Sequence, residues 1–201
     1  MLRIQWCFNL RFWPHKKWKK IVLTIFLVFL ITGAITLAYV GFKMNSDVSS
    51  EIAILNPGGS ATALVIYHPG ITSLMKDVAY AFAGGLVSNG WRVEITTPSS
   101  EAPNDLSGYN LLVLGSPVYG FSVTPTIGRF LDRTGDLNKI DTVVLLTAAG
   151  APANSALTME QAVLESNGSV KKTLVLFGLA PNEGDASAID LAEQAGKEIL
   201  P

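Results

Sequence analysis

The sequence predicts an α/β domain built on a doubly wound sheet of five parallel strands with helices on both faces. Five short apolar runs, at residues 63–67, 91–95, 111–114, 143–146 and 174–179, are rich in Val, Leu and Ile. Runs that are apolar on both faces are typical of strands buried between two layers. Amphipathic segments alternate with these runs, and right-handed crossovers leave few topologies for such an order. We expect the strand order 2-1-3-4-5.

Helix signals separate the predicted strands. Thr72, Thr124 followed by proline, residues 154–155 and Asp185 are candidate helix starts. In the third helix Leu157 is expected to face the core. Residues 98–108 are too few and too polar for a full helix, so we expect a loop or a single helical turn there.

An uncharged apolar segment at residues 21–42 precedes the domain. At about 1.5 Å per helical residue it covers the roughly 30 Å hydrocarbon core of a bilayer. A cleaved signal peptide is an alternative, but its apolar part is normally about 7–15 residues. We therefore expect an uncleaved transmembrane helix whose partner is the lipid bilayer.

Charges flanking this segment predict its orientation. Basic residues precede it at Arg3, Arg11, Lys16, Lys17, Lys19 and Lys20. Only Lys43 lies close to its other end, so the amino terminus is expected in the cytoplasm and the domain on the outer face. The expected organisation is a basic cytoplasmic segment at 1–20, the helix at 21–42, a flexible linker at 43–61 and the α/β domain at 62–201.

Charge and cysteine content exclude several kinds of site. Residues 58–201 carry 8 Lys and Arg against 14 Asp and Glu, a difference of 6 negative charges. This balance argues against nucleic acid as a partner, because Lys and Arg must replace phosphate counterions there. The only cysteine, Cys7, lies outside the domain, which excludes an internal disulfide and a cysteine-rich metal site. We expect no metal.

The first strand is followed by a loop that contains His68, Gly70, Ile71, Thr72 and Ser73. In a doubly wound sheet, ligands bind beyond the carboxyl ends of the strands at the switch point. A glycine lets the backbone approach a ligand, and free amides and hydroxyls at a helix start form an anion site. A terminal phosphate would fit here. An ordinary strand-to-helix turn is the alternative.

A second loop follows the third strand and contains Ser116, Pro117, Val118, Tyr119 and Gly120. Its glycine and proline predict a tight turn whose amides are free to meet the polar edge of a flat ring, and Tyr119 offers a surface for stacking. An exposed tyrosine used for packing remains the alternative.

Together these two loops resemble those of the flavodoxin family. The resemblance rests on the hydroxyl-bearing loop at 68–73 and, most specifically, on the stretch at 106–120, which reads LSGYNLLVLGSPVYG. It covers about 62–201 and implies a flavodoxin-like fold that holds one FMN noncovalently. The phosphate would lie on the first loop and the isoalloxazine between residues 116–121 and 147–154. The implied contacts in this last segment include Thr147, Ala148 and Gly150.

The resemblance implies electron transfer, or reduction of a quinone-like acceptor, through the flavin. The partner would then be a redox protein or a quinone. The chain departs from the family pattern where His68 and Pro69 replace hydroxyl-bearing residues, and Pro69 also removes an amide donor. The alternative is therefore a flavodoxin-like module that has lost FMN and serves as a membrane-tethered binding or scaffold domain.

Overall fold

The structure is a computed structural model that describes residues 16–120, 122–150, 154–179, 181–182, 184 and 186–201. The chain divides into two compact units, Met1–Phe42 and Lys43–Pro201. Several residues used in the predictions lie outside the described residues: Arg3 and Arg11, which predict the orientation, Phe121 and residues 151–153 of the predicted flavin loops, and the predicted helix start at Asp185.

Helix α1 spans Lys17–Asn45 and has no buried residue. Its most apolar segment of 18 residues has a mean hydropathy of 2.7, so its length and composition are sufficient to cross a membrane. A signal sequence near the amino terminus would have the same properties. The hydroxyls of Thr32 and Thr36 donate to the carbonyls of Val28 and Thr32, each at 2.9 Å. These polar groups are thus satisfied within the helix, as a lipid environment requires.

Five parallel strands form the centre of the sheet in the second unit. They are β2 (Ala61–Tyr67), β3 (Trp91–Thr96), β4 (Leu111–Tyr119), β6 (Asp141–Ala148) and β7 (Ser169–Phe177). Their spatial order is β3-β2-β4-β6-β7, which reads 2-1-3-4-5 when these five are counted along the chain. β7 begins and ends earlier than the predicted run at 174–179, so Gly178 and Leu179 lie beyond the strand.

Two short antiparallel strands complete a sheet of seven. β1 (Ala53–Leu55) pairs with β3, with Leu55 opposite Val93, and β5 (Ser122–Val123) pairs with β4. The prediction of a flexible linker at 43–61 is therefore wrong at β1. The three residues of β1 are too few to carry a periodic pattern, and they are ordered because they pair with the outer edge of β3.

Helices cover both faces of the sheet. They are α2 (Leu74–Ser88), α3 (Pro125–Thr134), α4 (Ser155–Glu165) and α5 (Ala188–Lys197). Alternate residues of β2 point to opposite faces, because successive side chains of a strand do so. Val65 accordingly packs in the same cluster as Phe82 of α2. Leu64 packs on the other face with Phe130 of α3 and Met159 of α4.

Three predicted helix details differ from the structure. Ser73 rather than Thr72 occupies the position before α2. α5 begins at Ala188, where the side chain of Ser187 accepts a hydrogen bond from the Asp190 amide. In α4 Leu157 is 58% exposed, and Met159 is buried in its place. Met159 and Val163 lie four residues apart, so they set the inward face of this short helix. As predicted, residues 98–108 contain no helix.

The two edges of the sheet differ in length and charge. β1 contributes only three residues on one side, whereas β7 contributes nine on the other. Lys171 of β7 pairs with Asp141 at 2.9 Å, and Lys172 pairs with Glu198 at 2.5 Å. The longer edge therefore carries paired charges.

Candidate functional site

A groove lies at the carboxyl ends of β4, β6 and β7 and encloses about 340 Å³. Its lining is mostly apolar and consists of Thr72, Leu74, Pro117, Val118, Tyr119, Thr147, Ala148, Ala149, Gly178 and Leu179. A neighbouring cavity of about 420 Å³ at the start of α5 shares Leu74 and Gly178 with it. We place the candidate site in the groove, because this is the sheet edge at which doubly wound folds bind ligands.

Six of the predicted site residues line this groove: Thr72, Pro117, Val118, Tyr119, Thr147 and Ala148. The other seven do not: His68, Gly70, Ile71, Ser73, Ser116, Gly120 and Gly150. Both predicted loops thus contribute to one cavity, as does the predicted segment after β6. Ligand contacts of these residues stay predictions.

The loop between β2 and α2 uses three of its amides within the protein, and that of His68 donates to the Gly115 carbonyl at 2.9 Å. We call residues 68–73 the phosphate loop, after its predicted role. The Gly70 amide donates to Nδ1 of His68 at 3.1 Å, and the Ile71 amide donates to the phenol oxygen of Tyr119 at 2.8 Å. Gly70 has a φ of 75°, a conformation that favours glycine. None of the three amides is free for a ligand in this conformation.

Thr72 and Ser73 supply the remaining donors of the phosphate loop. Both are exposed, and within the described part of the chain neither their amides nor their hydroxyls hydrogen-bond to protein. They precede the first turn of α2, where backbone amides point outward and favour an anion. Asp77 in that turn offsets part of this attraction.

Ser116 lies inside the protein rather than in the groove. β4 continues to Tyr119 instead of ending at Leu114, and its Pro117 pairs with Thr147 of β6. The fully buried Ser116 hydroxyl accepts from the Thr124 amide and lies 2.9 Å from the Thr124 hydroxyl. Ser116 therefore fastens β4 to the start of α3.

His68 is 1% exposed and follows β2 directly. Its Nδ1 accepts from Gly70, whereas its Nε2 is buried and has no hydrogen-bond partner in the described chain. Burial is the main cause that lowers the pKa of this imidazole below 6.5, and Arg129 acts in the same direction. The backbone of Ser46 and Lys43 opposes the shift, as does Asp47.

The segment that precedes β1, which we call the connector (residues 43–52), is fastened near His68. Arg129 of α3 donates to the Asn45 carbonyl at 2.8 Å and to Asp47 at 2.9 Å. The Thr97 amide, just beyond β3, donates to the Ser50 hydroxyl at 3.2 Å. The connector is thus held at the carboxyl ends of β2 and β3, which the prediction of a flexible linker missed.

The described lining of the groove is uncharged. The four chain segments around it, residues 68–75, 116–124, 147–155 and 177–187, contain no Lys or Arg and only two carboxylates, Glu183 and Asp185. An anion would therefore depend on amide and hydroxyl donors. In the described residues no group of three His, Cys, Asp or Glu could hold a metal.

Comparison with known proteins identifies the architecture. No protein-family model matches the sequence, and no curated protein matches it significantly. A flavodoxin from the domain Archaea is 14% identical, with 68% of this chain and 94% of that one covered at a TM-score of 0.55. The chain has a flavodoxin-like fold.

Other solved structures share this fold. A two-electron reduced flavodoxin from Megasphaera elsdenii is 15% identical over 67% of this chain and 98% of its own, with a TM-score of 0.55. An NAD(P)H:quinone oxidoreductase from Methanothermobacter marburgensis is 16% identical over 70% and 97%, with a TM-score of 0.52. At these identities the likeness concerns the fold alone.

Three groove residues of the flavodoxin-like domain escaped the sequence prediction, namely Leu74, Gly178 and Leu179, whereas Ala149 lies within the predicted segment 147–154. Gly178 carried a signal, because a glycine directly after a strand often marks a close approach. A Cβ at Gly178 would lie 2.6 Å from Cδ2 of Leu74, so a larger residue here would have to displace the end of that side chain. Leu179 is 87% exposed at the rim, and no pattern in the sequence distinguished it.

Proposed function

We propose that this flavodoxin-like protein binds FMN in the groove and transfers electrons to a partner protein or a quinone-like acceptor. The observation that carries the proposal is the distribution of polar groups. Thr72 lines this mostly apolar cavity and Ser73 follows it directly in the chain, and among the described residues their amides and hydroxyls bond to no protein group. A flat aromatic ring with a phosphate at the end of its side chain has the same distribution.

Each part of the groove would have one task. Thr72 and Ser73 would donate to the phosphate, as helix starts do for anions. Pro117, Tyr119 and Leu179 would cover the ring and exclude water. When bound, the flavin supplies the redox chemistry, whereas the chain positions it and tunes its potential. The neutral walls suit an uncharged acceptor better than an anionic one.

The second part of the proposal is that α1 anchors the protein, with its amino terminus in the cytoplasm and the domain on the outer face. Its length and apolar composition support an anchor, and the basic residues before it support the orientation. Cys7, the only cysteine, gives a direct test. An impermeant maleimide applied to intact cells should label Gln161→Cys in a Cys7→Ser background and leave Cys7 of the wild type unlabelled. The reverse pattern would overturn the orientation.

One observation favours the alternative, a flavodoxin-like scaffold without flavin. The amides of Gly70 and Ile71 already donate to His68 and Tyr119. An anion at this loop would meet fewer donors than the sequence suggests. The loop could therefore serve a structural role without a ligand.

Flavin titration of the full chain in detergent micelles separates the two functions. The full chain is the proper sample, because the connector and β1 are part of the folded unit. We expect FMN at micromolar concentration to bind saturably, with quenched fluorescence and a perturbed visible spectrum. Riboflavin, which lacks the phosphate, is the matched control and should bind more weakly. If FMN does not bind, the redox proposal fails and the scaffold remains.

A further inference from the structure

We propose that His68 is a positioning residue whose neutral ring sets the phosphate loop, so that protonation of His68 releases the bound phosphate. The inference rests on the proposed function, since the phosphate in question is that of FMN. It assigns a role to a buried histidine whose second nitrogen has no hydrogen-bond partner among the described residues.

The geometry around Nδ1 fixes the protonation state that the loop requires. The Gly70 amide donates to Nδ1 at 3.1 Å, so Nδ1 must present its lone pair. A neutral ring then carries its proton on Nε2. The same hydrogen bond holds Gly70 in its left-handed conformation, with a φ of 75°. The backbone conformation at Gly70 in turn sets the direction of the chain that leads to Thr72 and Ser73.

A second proton would break this arrangement. An imidazolium has hydrogens on both nitrogens, so the Gly70 amide would face another donor rather than an acceptor. Because the ring is buried, the loop can relieve this conflict only by moving Gly70 or by exposing the ring. Either movement displaces the chain just before the proposed phosphate donors.

The surroundings of His68 determine the pH at which the ring takes up the second proton. The charged groups facing the ring are Asp47 of the connector and Arg129 of α3, which pair with each other at 2.9 Å. The backbone of Lys43 and Ser46 also lies close to it. The pKa of His68 is lowered from 6.5, mainly by burial. The loop therefore keeps its form at neutral pH and loses it only in acid, as the pH falls through the lowered pKa of His68.

Two substitutions of His68 distinguish its role as a hydrogen-bond acceptor from its change of protonation state. In His68→Asn, the amide oxygen can take the place of Nδ1 and accept from Gly70 at any pH. In His68→Leu, the acceptor is removed. His15→Asn is the matched control, since His15 is the only other histidine in the sequence.

The first readout is the ratio of FMN to riboflavin affinity between pH 7.5 and pH 5, measured on the full chain in detergent. This ratio isolates the phosphate. We expect it to fall roughly tenfold in the wild type and in His15→Asn, on the scale of a hydrogen bond to a charged group. It should fall clearly less in His68→Asn, where only the FMN phosphate with its second pKa of about 6 changes charge, and be low at both pH values in His68→Leu. An equal fall in His68→Asn would overturn the inference, since titration of the FMN phosphate alone would explain it.

The second readout needs no flavin. Nitrogen-15 NMR of the detergent-solubilised chain should show Nδ1 of His68 unprotonated at neutral pH, and the Gly70 amide should shift with the same midpoint as the imidazole. If these signals behave so but no flavin binds, the proposed function fails and the positioning role stands. If FMN binds but the Gly70 amide does not follow His68, the inference fails by itself.

Discussion

The phenol oxygen of Tyr119 accepts a hydrogen bond from the amide of Ile71 at 2.8 Å and so ties the end of β4 to the phosphate loop. The two residues are 48 positions apart in the chain. The bond uses an amide that could otherwise donate to an anion, so the phosphate of the proposed FMN would compete with Tyr119 for this donor.

Replacing Tyr119 by Phe tests this competition. We expect the free energy of unfolding to fall by about 0.5–1.5 kcal/mol, the net value of a hydrogen bond, while FMN binds more tightly because the Ile71 amide is released. Thermal unfolding and fluorescence titration measure the two effects. Tyr109→Phe is the control, because its hydroxyl bonds to Glu94 at 2.6 Å outside the groove and its loss should lower stability alone. Weaker FMN binding in Tyr119→Phe would make this hydroxyl a ligand contact instead.

Gly70→Ala should destabilise the protein by roughly 1–3 kcal/mol. A residue with a Cβ at a positive φ costs about 1–2 kcal/mol, and here the Cβ would lie 2.7 Å from the Tyr119 oxygen. Gly128→Ala in α3 is the matched control, since a Cβ there meets open space and should add about 0.5–1 kcal/mol. Thermal denaturation of both variants provides the measurement. Equal stability of the two would contradict the left-handed conformation at Gly70.

Thr72→Ala combined with Ser73→Ala should weaken FMN binding by roughly 1–3 kcal/mol, the scale for hydrogen bonds to a charged group. Riboflavin binding should hardly change, since that ligand has no phosphate. Both affinities are available from fluorescence titration. An unchanged FMN affinity would move the phosphate to another part of the domain.

The central fold could be predicted because its signals are long. The run at 143–146 is apolar on both faces, and β6 is accordingly buried on both sides. β1 could not be predicted, because three residues show no period and their order depends on pairing with β3. The sequence Gly115-Ser116-Pro117 has the composition of a turn, yet these residues continue β4 because β6 runs beside them.

The candidate site was harder to predict than the fold, because its contacts depend on elements that are distant in the sequence. Thr72, Pro117 and Thr147 line one cavity, because parallel strands end at a common edge, whereas their contacts with a ligand stay predictions. The prediction could not foresee that Tyr119 and His68 take up two loop amides, since these contacts depend on side-chain directions. Nor could it place Leu179, which reached the groove because β7 ends at Phe177.

Ser116→Ala should lower the free energy of unfolding by about 1–3 kcal/mol. The substitution leaves the Thr124 amide and hydroxyl without their buried partner. Ser122→Ala is the control, because Ser122 is exposed and has no side-chain hydrogen bond in the described chain. Differential scanning calorimetry compares them. A neutral Ser116→Ala would show that Thr124 finds another partner.

Tyr67 should make the protein sensitive to alkali. Burial is the main cause that raises its pKa from 10.0 to about 12, and nearby Tyr80 adds to it. Since the folded state favours the neutral phenol, this contribution is complete below pH 10 and is lost as the pH rises towards 12. We expect the free energy of unfolding to fall more steeply over this window in the wild type than in Tyr67→Phe. Parallel slopes for the two proteins would exclude the effect.

The two edges of the sheet determine whether neighbouring molecules can associate by pairing of their strands. β1 offers an incoming strand only three residues, and a short edge is a poor template for pairing. β7 is long enough, but a strand added there would have to bury or displace Lys171, Lys172 and their carboxylates. Growth of the sheet from one molecule to the next therefore meets an obstacle at either side. Even at high protein concentration, the domain should remain free of β-type aggregation.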